Sequence, residues 1–291
     1  MGNRQATQDI SYAGSAKSRG GRAMIRLVEN MTGRIGLIRR ADGFDHEMAQ
    51  GGDFWRVIPA RYGISLDVIG GSLDDIPRSG PLVLVANHPY GILDGLMMGH
   101  ILSGLRRDFR IVAHGVFRRA EALNRVILPV SFDETKEAVR LNLETRVRAL
   151  DYLGQGGAIG IFPGGTVSTA ATPLSRPLDP VWRNFTAKMI ARSDATVVPL
   201  FFEGQNSRLF QIASHLNYTL RLALLIKEFR ARVDEPVRIV IGKPIQQHQL
   251  AARRTDPKAM MDFLRRSTYD LSPKPVRHDA YGFEFEQKYR A

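Results

Sequence analysis

Cysteine is absent from this 291-residue sequence. Disulfide bonds, zinc sites with thiolate ligands and a catalytic thiol are therefore excluded, and a reducing compartment is expected. Long apolar runs are also missing, since none reaches the roughly 18 residues that a membrane-spanning helix requires. The first 23 residues are too polar for a signal peptide, and Ala6 stands where the myristoylation pattern has Ser or Thr. Any contact with a membrane is therefore expected at its surface.

Acidic residues are outnumbered, because 41 Lys and Arg face 29 Asp and Glu and leave a net charge of +12. A charge of this size indicates an acidic partner: nucleic acid, anionic lipid or an acidic carrier protein. No zinc-finger, RNA-recognition or basic-zipper pattern accompanies the charge, so we expect no nucleic-acid partner. The basic excess is concentrated in residues 1–40, which carry eight basic and two acidic side chains.

Composition divides the chain into three parts. Residues 1–22 are small, polar and basic and are predicted to be disordered, and residues 272–291 are predicted to form a polar, weakly structured tail. Residues 23–271 between them are expected to form one domain. Its first segment, residues 23–40, mixes apolar side chains with arginines. This pattern fits either an amphipathic segment on an anionic membrane surface or a helix packed on the core with solvated arginines.

Strand-like and helix-like segments alternate beyond residue 80, which predicts an α/β fold with a mixed, mostly parallel central sheet flanked by helices. The predicted strands are residues 82–87, 110–116, 126–131, 157–162, 196–202 and 237–242. The predicted helices are residues 93–105, 119–125, 135–153, 180–193, 207–231 in one or two pieces, and 256–270. Trp55 and Trp182 are expected in the core or as interfacial anchors. The solvated face of the Leu220–Phe229 helix is expected to carry Arg221, Lys227, Arg230 and Arg232.

The segment Asn87-His88-Pro89-Tyr90-Gly91-Ile92-Leu93-Asp94 is the part of the chain best suited to chemistry. It joins an apolar strand to an apolar helix, so His88 and Asp94 lie at the carboxyl end of a strand, where open α/β sheets bind ligands. Pro89 keeps His88 out of helical geometry. An aspartate fixes the tautomer of a histidine and leaves its other ring nitrogen to accept a proton. The alternative is a loop histidine and an aspartate that only caps the helix.

Two further polar loops follow predicted strands. The first, Phe162-Pro163-Gly164-Gly165-Thr166-Val167-Ser168, offers backbone N–H groups and hydroxyls that can hold a phosphate or an oxyanion, or it is a structural turn. It is not a P-loop, because no Gly-Lys-Ser/Thr follows. The other loop follows residues 196–202 and carries Asn206 and Arg208. We expect all three loops at one edge of one sheet. His114 either lines that site or packs in the core.

In this order the segments resemble the lysophospholipid (1-acylglycerol-3-phosphate) acyltransferase family over roughly residues 80–245. Asn87, His88 and Asp94 match the first block of that family. The loop from Phe162 to Ser168 matches its third block, Phe-Pro-Glu-Gly-Thr-Arg-Ser, and Val198-Pro199 matches its fourth. The resemblance implies the fold of the glycerolipid acyltransferases.

The departures from the family pattern indicate one of its branches. Five residues separate His88 from Asp94 where the family has four, and Gly164 and Val167 replace the Glu and Arg of the third block. The segment 128–133 lacks the arginine of the second block. These features resemble the haemolysin-like branch, which includes O-acyltransferases of aminolipids such as ornithine lipids. They count against a phosphate-bearing acceptor, for which the available substitutes are Arg208, Arg118 and Arg119.

The resemblance implies transfer of a fatty acyl group from a thioester of acyl-carrier protein or CoA to the hydroxyl of a single-chain lyso-lipid, such as lyso-ornithine lipid. His88 is then the general base, Asp94 orients it, and no metal or redox cofactor is needed. The expected substrate-binding residues are Asn87, Gly91, Phe162, Pro163, Gly164, Gly165, Thr166, Ser168, Asn206 and Arg208, with the amides of Gly164 and Gly165 as oxyanion donors. The expected location is the cytoplasmic face of the inner membrane, bound peripherally to anionic lipid. The alternatives are a 1-acyl-sn-glycerol-3-phosphate acyltransferase and a non-catalytic lipid-binding protein.

Overall fold

The computed structural model describes residues 11–16, 18–114, 121–131 and 135–285. The strands are β1 (Ser65–Gly70), β2 (Leu82–Ala86), β3 (Arg110–His114), β4 (Ile127–Val130), β5 (Ala158–Ile161), β6 (Thr169–Ala170), β7 (Pro177–Leu178), β8 (Thr196–Phe202) and β9 (Pro236–Ile241). Seven of them form one sheet in the order β1-β9-β8-β2-β5-β3-β4, and β6 and β7 form a separate antiparallel ribbon. The predicted α/β fold with a mixed, mostly parallel sheet is confirmed.

The helices are α1 (Arg19–Met31), α2 (Arg34–Arg40), α3 (Phe44–Ala49), α4 (Phe54–Arg61), α5 (Ile92–Leu105), α6 (Glu121–Asn124), α7 (Lys136–Gly154), α8 (Asn184–Ile190), α9 (Arg208–Leu216), α10 (Tyr218–Arg230), α11 (Gln247–Ala251) and α12 (Pro257–Tyr269). The predicted helix at 180–193 is too long at both ends. Arg183 is extended, and its amide donates to the Pro163 carbonyl at 2.9 Å instead of entering the helix. The predicted 207–231 helix is two helices, because Asn217 is extended and caps α10.

The central strand β2 explains why the sheet carries helices on both faces. All five of its residues are buried, and successive side chains of a strand point to opposite faces. Leu82 and Leu84 pack with α4, α5 and α10 on one face, and Val83 and Val85 pack with α7, α8 and α12 on the other. A strand buried on both faces reads as a continuous apolar run, which is why the sequence revealed it.

The edge formed by β1 and β9 was only partly predicted. β9 runs antiparallel to β8, and β1 pairs in parallel with β9, so these two strands oppose the direction of the other five. β1 is missing from the sequence prediction because its residues are half-buried or exposed and show no continuous apolar run.

The two ends of the domain are more ordered than predicted. The predicted disorder is wrong for residues 11–16 and 18–22, since the Tyr12 amide donates to buried Glu29 at 2.7 Å and Ser18 caps α1. The predicted weak structure of the tail is wrong for Gly282 and Phe283, whose amides donate to the Asp179 carbonyl at 2.9 Å and the Thr169 carbonyl at 3.0 Å. The predictions for residues 1–10, 17 and 286–291 lie outside the described residues.

The basic segment 23–40 forms helices that pack on the core, which is the second of its two predicted alternatives. α1 and α2 pack on the domain through Ile25 and Leu37, but Met24, Leu27 and Met31 are exposed. In the described part of the chain, no helix is both long and apolar enough to cross a membrane. Trp55 and Trp182 are buried in the core, as predicted.

Candidate active site

The three polar loops meet at one edge of the sheet. β8, β2 and β5 are neighbours that all run in the same direction, so the loops that follow them leave from the same edge. The first loop, which follows β2, carries His88. The second loop, which follows β5, carries Phe162, and the third loop, which follows β8, carries Glu203. The predicted convergence of these loops is confirmed.

The structure pairs His88 with Asp94. His88 Nδ1 lies 3.0 Å from Asp94 Oδ2, and the approach is oblique rather than along a straight hydrogen bond. The same carboxylate oxygen accepts the amides of Tyr90 at 2.7 Å and Gly91 at 2.9 Å. Nδ1 is buried while the His88 side chain is 18% exposed, so the accessible edge of the ring is the one that carries Nε2. The pair therefore presents one ring nitrogen outward and holds the other inward.

Asp94 is completely buried in the first turn of α5, and its Oδ1 atom has no hydrogen-bond partner among the described residues. Burial raises the pKa of Asp94, while His88 and the amides of Tyr90 and Gly91 oppose that rise. Gly91 has a φ of +91°, and a Cβ there would lie 3.1 Å from Val167 Cγ2. A glycine is therefore required for the tight path that brings His88 back over Asp94.

Asn87 anchors the turn to the neighbouring strand. Its side-chain Nδ2 donates to the Phe202 carbonyl at 2.9 Å, and its Oδ1 accepts the Phe202 amide at 2.7 Å. The Tyr90 hydroxyl adds a second link by donating to the Glu203 carbonyl at 2.8 Å. Because both amide atoms of Asn87 are already paired, its contribution to the site is to fix the position of His88.

The backbone of His88 is held on both sides. Its carbonyl accepts the Ser168 amide at 2.7 Å, and its amide donates to Asp179 Oδ1 at 3.1 Å. Asp179 is fully buried and also accepts the Ser168 hydroxyl and, at 2.9 Å, the Trp182 indole N–H. One carboxylate thus ties the first loop to the second.

The second loop packs against the His88 side chain. The Phe162 ring stacks on the His88 imidazole with centroids 4.3 Å apart and planes 26° apart. The Gly165 amide donates to the Phe162 carbonyl at 3.0 Å within the turn, so the expectation of two oxyanion amides reduces to Gly164. A Cβ at Gly164 would lie 3.2 Å from Asp179, which leaves little room there for any side chain.

Arg221 contradicts the sequence prediction. It was expected on the solvated face of a helix, but it is 2% exposed and its guanidinium reaches back from α10 to the second loop. It donates to Thr166 Oγ1 at 3.2 Å and to the Val167 carbonyl at 2.9 Å. The loop that lacks an arginine of its own thus receives one from elsewhere in the chain.

The third loop contributes less than expected. Asn206 is buried, and its Nδ2 has no hydrogen-bond partner among the described residues. Arg208 is exposed and donates to the Ser175 carbonyl at 2.8 Å. The suggested substitutes Arg118 and Arg119 lie outside the described residues, and His114 lies at the end of β3 with an exposed side chain.

Sequence reasoning missed Asp179 and the burial of Arg221. Asp179 stands alone in a loop between short elements, and nothing in its sequence neighbourhood distinguishes it from a surface aspartate. Arg221 did carry a signal, because it interrupts the otherwise apolar stretch 220–226 of α10. A charge enclosed by apolar residues at helical spacing is a candidate for burial with polar partners.

Comparison with known proteins finds two curated relatives and one solved structure that resemble the chain. The lyso-glycine lipid O-acyltransferase of Phocaeicola vulgatus is 24% identical over 206 residues, covering 68% of this chain and 71% of that protein. The protein of the same name from Bacteroides thetaiotaomicron is 22% identical over 210 residues, covering 68% and 73%. The crystal structure of the 1-acyl-sn-glycerophosphate (LPA) acyltransferase PlsC from Thermotoga maritima superposes with a TM-score of 0.46 and 15% identity, covering 91% of this chain and 87% of that one.

A family described as acyltransferase matches residues 52–274, more than three quarters of the chain. The match contains the His88–Asp94 pair, the loop from Phe162 to Ser168 and both residues that clamp them, Asp179 and Arg221. A match of this extent includes the whole sheet and every element of the site. The chain therefore belongs to the acyltransferase family and is an acyltransferase.

Proposed function

We propose that the protein is an O-acyltransferase that moves a fatty acyl group from a thioester to the hydroxyl of a lyso-aminolipid. The observation that carries this proposal is the His88–Asp94 pair, with its accessible Nε2 edge, at the junction of three loops in a chain of the acyltransferase family. The relatives named lyso-glycine lipid O-acyltransferase support an amino-acid head group on the acceptor.

In the proposed reaction His88 Nε2 accepts the proton of the acceptor hydroxyl as its oxygen attacks the thioester carbonyl carbon. Asp94 holds the ring in position and stabilises the imidazolium. The tetrahedral intermediate then expels the thiolate, which takes the proton from His88, so an ester and a free thiol are formed. The Gly164 amide is the candidate donor to the oxyanion.

The donor in this proposal is an acyl-carrier protein or CoA thioester. Both are acidic, and the net charge of +12 favours their approach to the protein. The absent Glu and Arg of the second loop, at Gly164 and Val167, favour an aminolipid acceptor over 1-acylglycerol-3-phosphate.

The test is acyl transfer by the purified protein with three acceptors: lyso-glycine lipid, lyso-ornithine lipid and 1-acylglycerol-3-phosphate. Each is incubated with palmitoyl-CoA or palmitoyl-acyl-carrier protein, and diacylated product is measured by mass spectrometry. We expect product from at least one lyso-aminolipid. Product from 1-acylglycerol-3-phosphate alone would replace this proposal with phospholipid synthesis, and no product from any acceptor would favour a non-catalytic lipid-binding protein.

The lipid acceptor implies contact with a membrane surface, and we propose that α1 and α9 provide it. α1 exposes Met24, Leu27 and Met31 at positions that share one helix face, and Met31 is 77% exposed. α9 exposes Leu209, Ile212 and Leu216 with the same spacing. Both helices pack against α10.

Charge supports an anionic lipid as the partner of this surface. The exposed arginines beside the apolar residues of α1 and α2 are Arg19, Arg22 and Arg39, while Arg40 is already paired with Asp234. Basic side chains near an anionic bilayer contribute about 1 kcal/mol each. The protein is thus proposed to lie on the cytoplasmic face of the inner membrane, without crossing it.

We expect Leu27→Glu/Met31→Glu to lower binding to vesicles of phosphatidylglycerol about tenfold, because two apolar side chains lose their insertion energy. Binding is measured by vesicle sedimentation, with phosphatidylcholine vesicles as the neutral comparison. Val139→Glu/Leu143→Glu is the matched control, since these two apolar side chains are 57% and 47% exposed on α7, on the opposite face of the sheet. Equal loss in the control would contradict the assignment of this face.

A further inference from the structure

Arg221 is a buried cation that lacks a compensating carboxylate in the described part of the chain. Its guanidinium donates to the hydroxyls of Thr169 at 2.7 Å, Ser214 at 2.8 Å and Thr166 at 3.2 Å, and to the Val167 carbonyl at 2.9 Å. The rings of Phe210 and Phe285 lie 4.8 and 4.4 Å from its guanidinium carbon. All these groups are neutral, so no residue within 11–16, 18–114, 121–131 or 135–285 balances the positive charge.

Burial of this charge is unfavourable. Loss of solvent lowers the pKa of Arg221 to about 10, and the nearby ionisable groups are the phenols of Tyr12 and Tyr218 rather than carboxylates. The guanidinium is still charged at neutral pH. Buried charges in proteins are usually paired, so an unpaired one beside an active site indicates an anion that arrives with the substrate.

The three hydroxyls that accept from Arg221 differ in what they do with their own hydrogen. The Thr169 hydroxyl donates to the Val167 carbonyl at 2.9 Å, and the Ser214 hydroxyl donates to the Phe210 carbonyl at 2.7 Å. The Thr166 hydroxyl has no acceptor among the described residues, and its side chain is half-buried rather than enclosed. Because arginine can only donate, the Thr166 hydroxyl hydrogen must point away from Arg221.

Thr166 is close to the catalytic turn along the chain and in space. The Ser168 amide, two residues further on, donates to the His88 carbonyl, and Val167 lies against the turn at Gly91. A group that binds the Thr166 hydroxyl is therefore held close to the turn that carries His88. A lyso-aminolipid with a glycine head group has such a group in its free carboxylate.

We propose that the Thr166 hydroxyl, polarised by Arg221, donates a hydrogen bond to the head-group carboxylate of the acceptor lipid. This inference rests on the proposed function, because it names the part of the acceptor that the same site recognises. Arg221 supplies the charge that attracts the carboxylate, and Thr166 supplies the contact. The loop itself carries no cation, because it has Val167 where the family has an arginine. The charge that selects an anionic head group therefore comes from Arg221 on α10.

The test compares two acceptors with the same acyl chain, lyso-glycine lipid with a free carboxylate and its neutral methyl ester. We expect the wild-type protein to prefer the carboxylate by about tenfold or more in kcat/KM, because the ester offers only a neutral oxygen as acceptor and a hydrogen bond to a charged group is stronger. Thr166→Val is expected to remove the preference by raising KM for the carboxylate acceptor, while Thr166→Ser keeps it. Activity on the ester is expected to change only a few-fold in Thr166→Val.

Two further variants separate the contact from the charge. Arg221→Met is expected to remove the preference as well, provided that circular dichroism shows a folded protein. Thr169→Val also deletes an acceptor of Arg221, but its hydroxyl points inward, so the preference is expected to remain. Equal effects of Thr169→Val and Thr166→Val would overturn the proposed contact, and equal kcat losses on both acceptors would assign Thr166 to the oxyanion instead.

A third acceptor separates carboxylate from phosphate. If 1-acylglycerol-3-phosphate is preferred to lyso-glycine lipid and Thr166→Val removes that preference, the carboxylate assignment is wrong. Acylation of the free acid and the ester at equal rates by the wild-type protein would overturn this inference and leave the acyl-transfer proposal intact. Absence of acylation with every acceptor would overturn the proposed function itself.

Discussion

His88→Ala is expected to lower kcat for acyl transfer roughly 10²–10⁴-fold, the usual contribution of a general base, with KM changed only a few-fold. The reason is that His88 presents its Nε2 edge at the junction of the three loops, while Nδ1 is held inward at Asp94. The measurement is steady-state acyl transfer with the acceptor that gives product with the wild-type protein.

The fold of this variant is expected to survive. The contacts that position residue 88 use its backbone, whose amide donates to Asp179 and whose carbonyl accepts from Ser168, and an alanine keeps both. His100→Ala is the matched control, because His100 is also half-buried, lies on α5 and contacts the Trp55 carbonyl rather than the turn. Near wild-type turnover by a folded His88→Ala protein would reject the proposed base.

Asp94→Asn is expected to lower activity by a similar factor, roughly 10²–10⁴-fold, while leaving the protein at least as stable as the wild type near neutral pH. Asparagine can still accept the Tyr90 and Gly91 amides, but it does not stabilise the imidazolium that forms on His88. It also removes the burial of a negative charge that raises the pKa of Asp94. Activity and stability are thus expected to move in opposite directions.

The pH dependence of stability follows from that raised pKa. An unfolded aspartate has its ordinary pKa of 3.8 and the folded one is higher, so between these values the folded state binds more protons. Stability of the wild type therefore falls as pH rises through this window, and the loss is complete above the folded pKa. Asp94→Asn has no such titration. We expect denaturant unfolding to show a free energy of unfolding for Asp94→Asn, relative to the wild type, that is larger at about pH 7 than at about pH 4.

The opposite trend would have a clear meaning. If the stability of the wild type relative to Asp94→Asn increases as pH rises, the contact between Asp94 and His88 stabilises the charged carboxylate by more than its burial destabilises it. Retention of full activity by the variant at every pH would remove Asp94 from the mechanism. Both measurements use the same protein preparation, so loss of activity through unfolding is separated from loss of catalysis.

The parts of the fold that could be predicted are those whose physics is local. β2 and α5 have continuous apolar sequences, and their order along the chain places His88 at the carboxyl end of a buried strand. The approach of the loops after β8, β2 and β5 followed from the parallel arrangement of these strands. Pro89 and Gly91 marked the turn because few other residues adopt its backbone geometry.

The parts that escaped prediction depend on partners distant in sequence. Asp179 accepts the His88 amide only because the ribbon of β6 and β7, which Asp179 follows directly, is placed beside the turn in the folded protein. Arg221 becomes buried only because α10 packs beside the loop after β5. Asp179 and Arg221 are far from their partners in the sequence, and no helical or strand periodicity relates the positions. Composition and spacing therefore could not predict these contacts.

The hydrogen bond from Gly282 to the Asp179 carbonyl and the ring of Phe285 over Arg221 have a consequence for how the protein matures. Residues 282–285 are added to the growing chain after His88, Asp94 and every strand of the seven-stranded sheet. Tyr12, near the other end of the described chain, also faces Arg221. A nascent chain that stops before residue 282 thus contains the His88–Asp94 pair but lacks the contacts that Gly282 makes with Asp179 and Phe285 makes with Arg221.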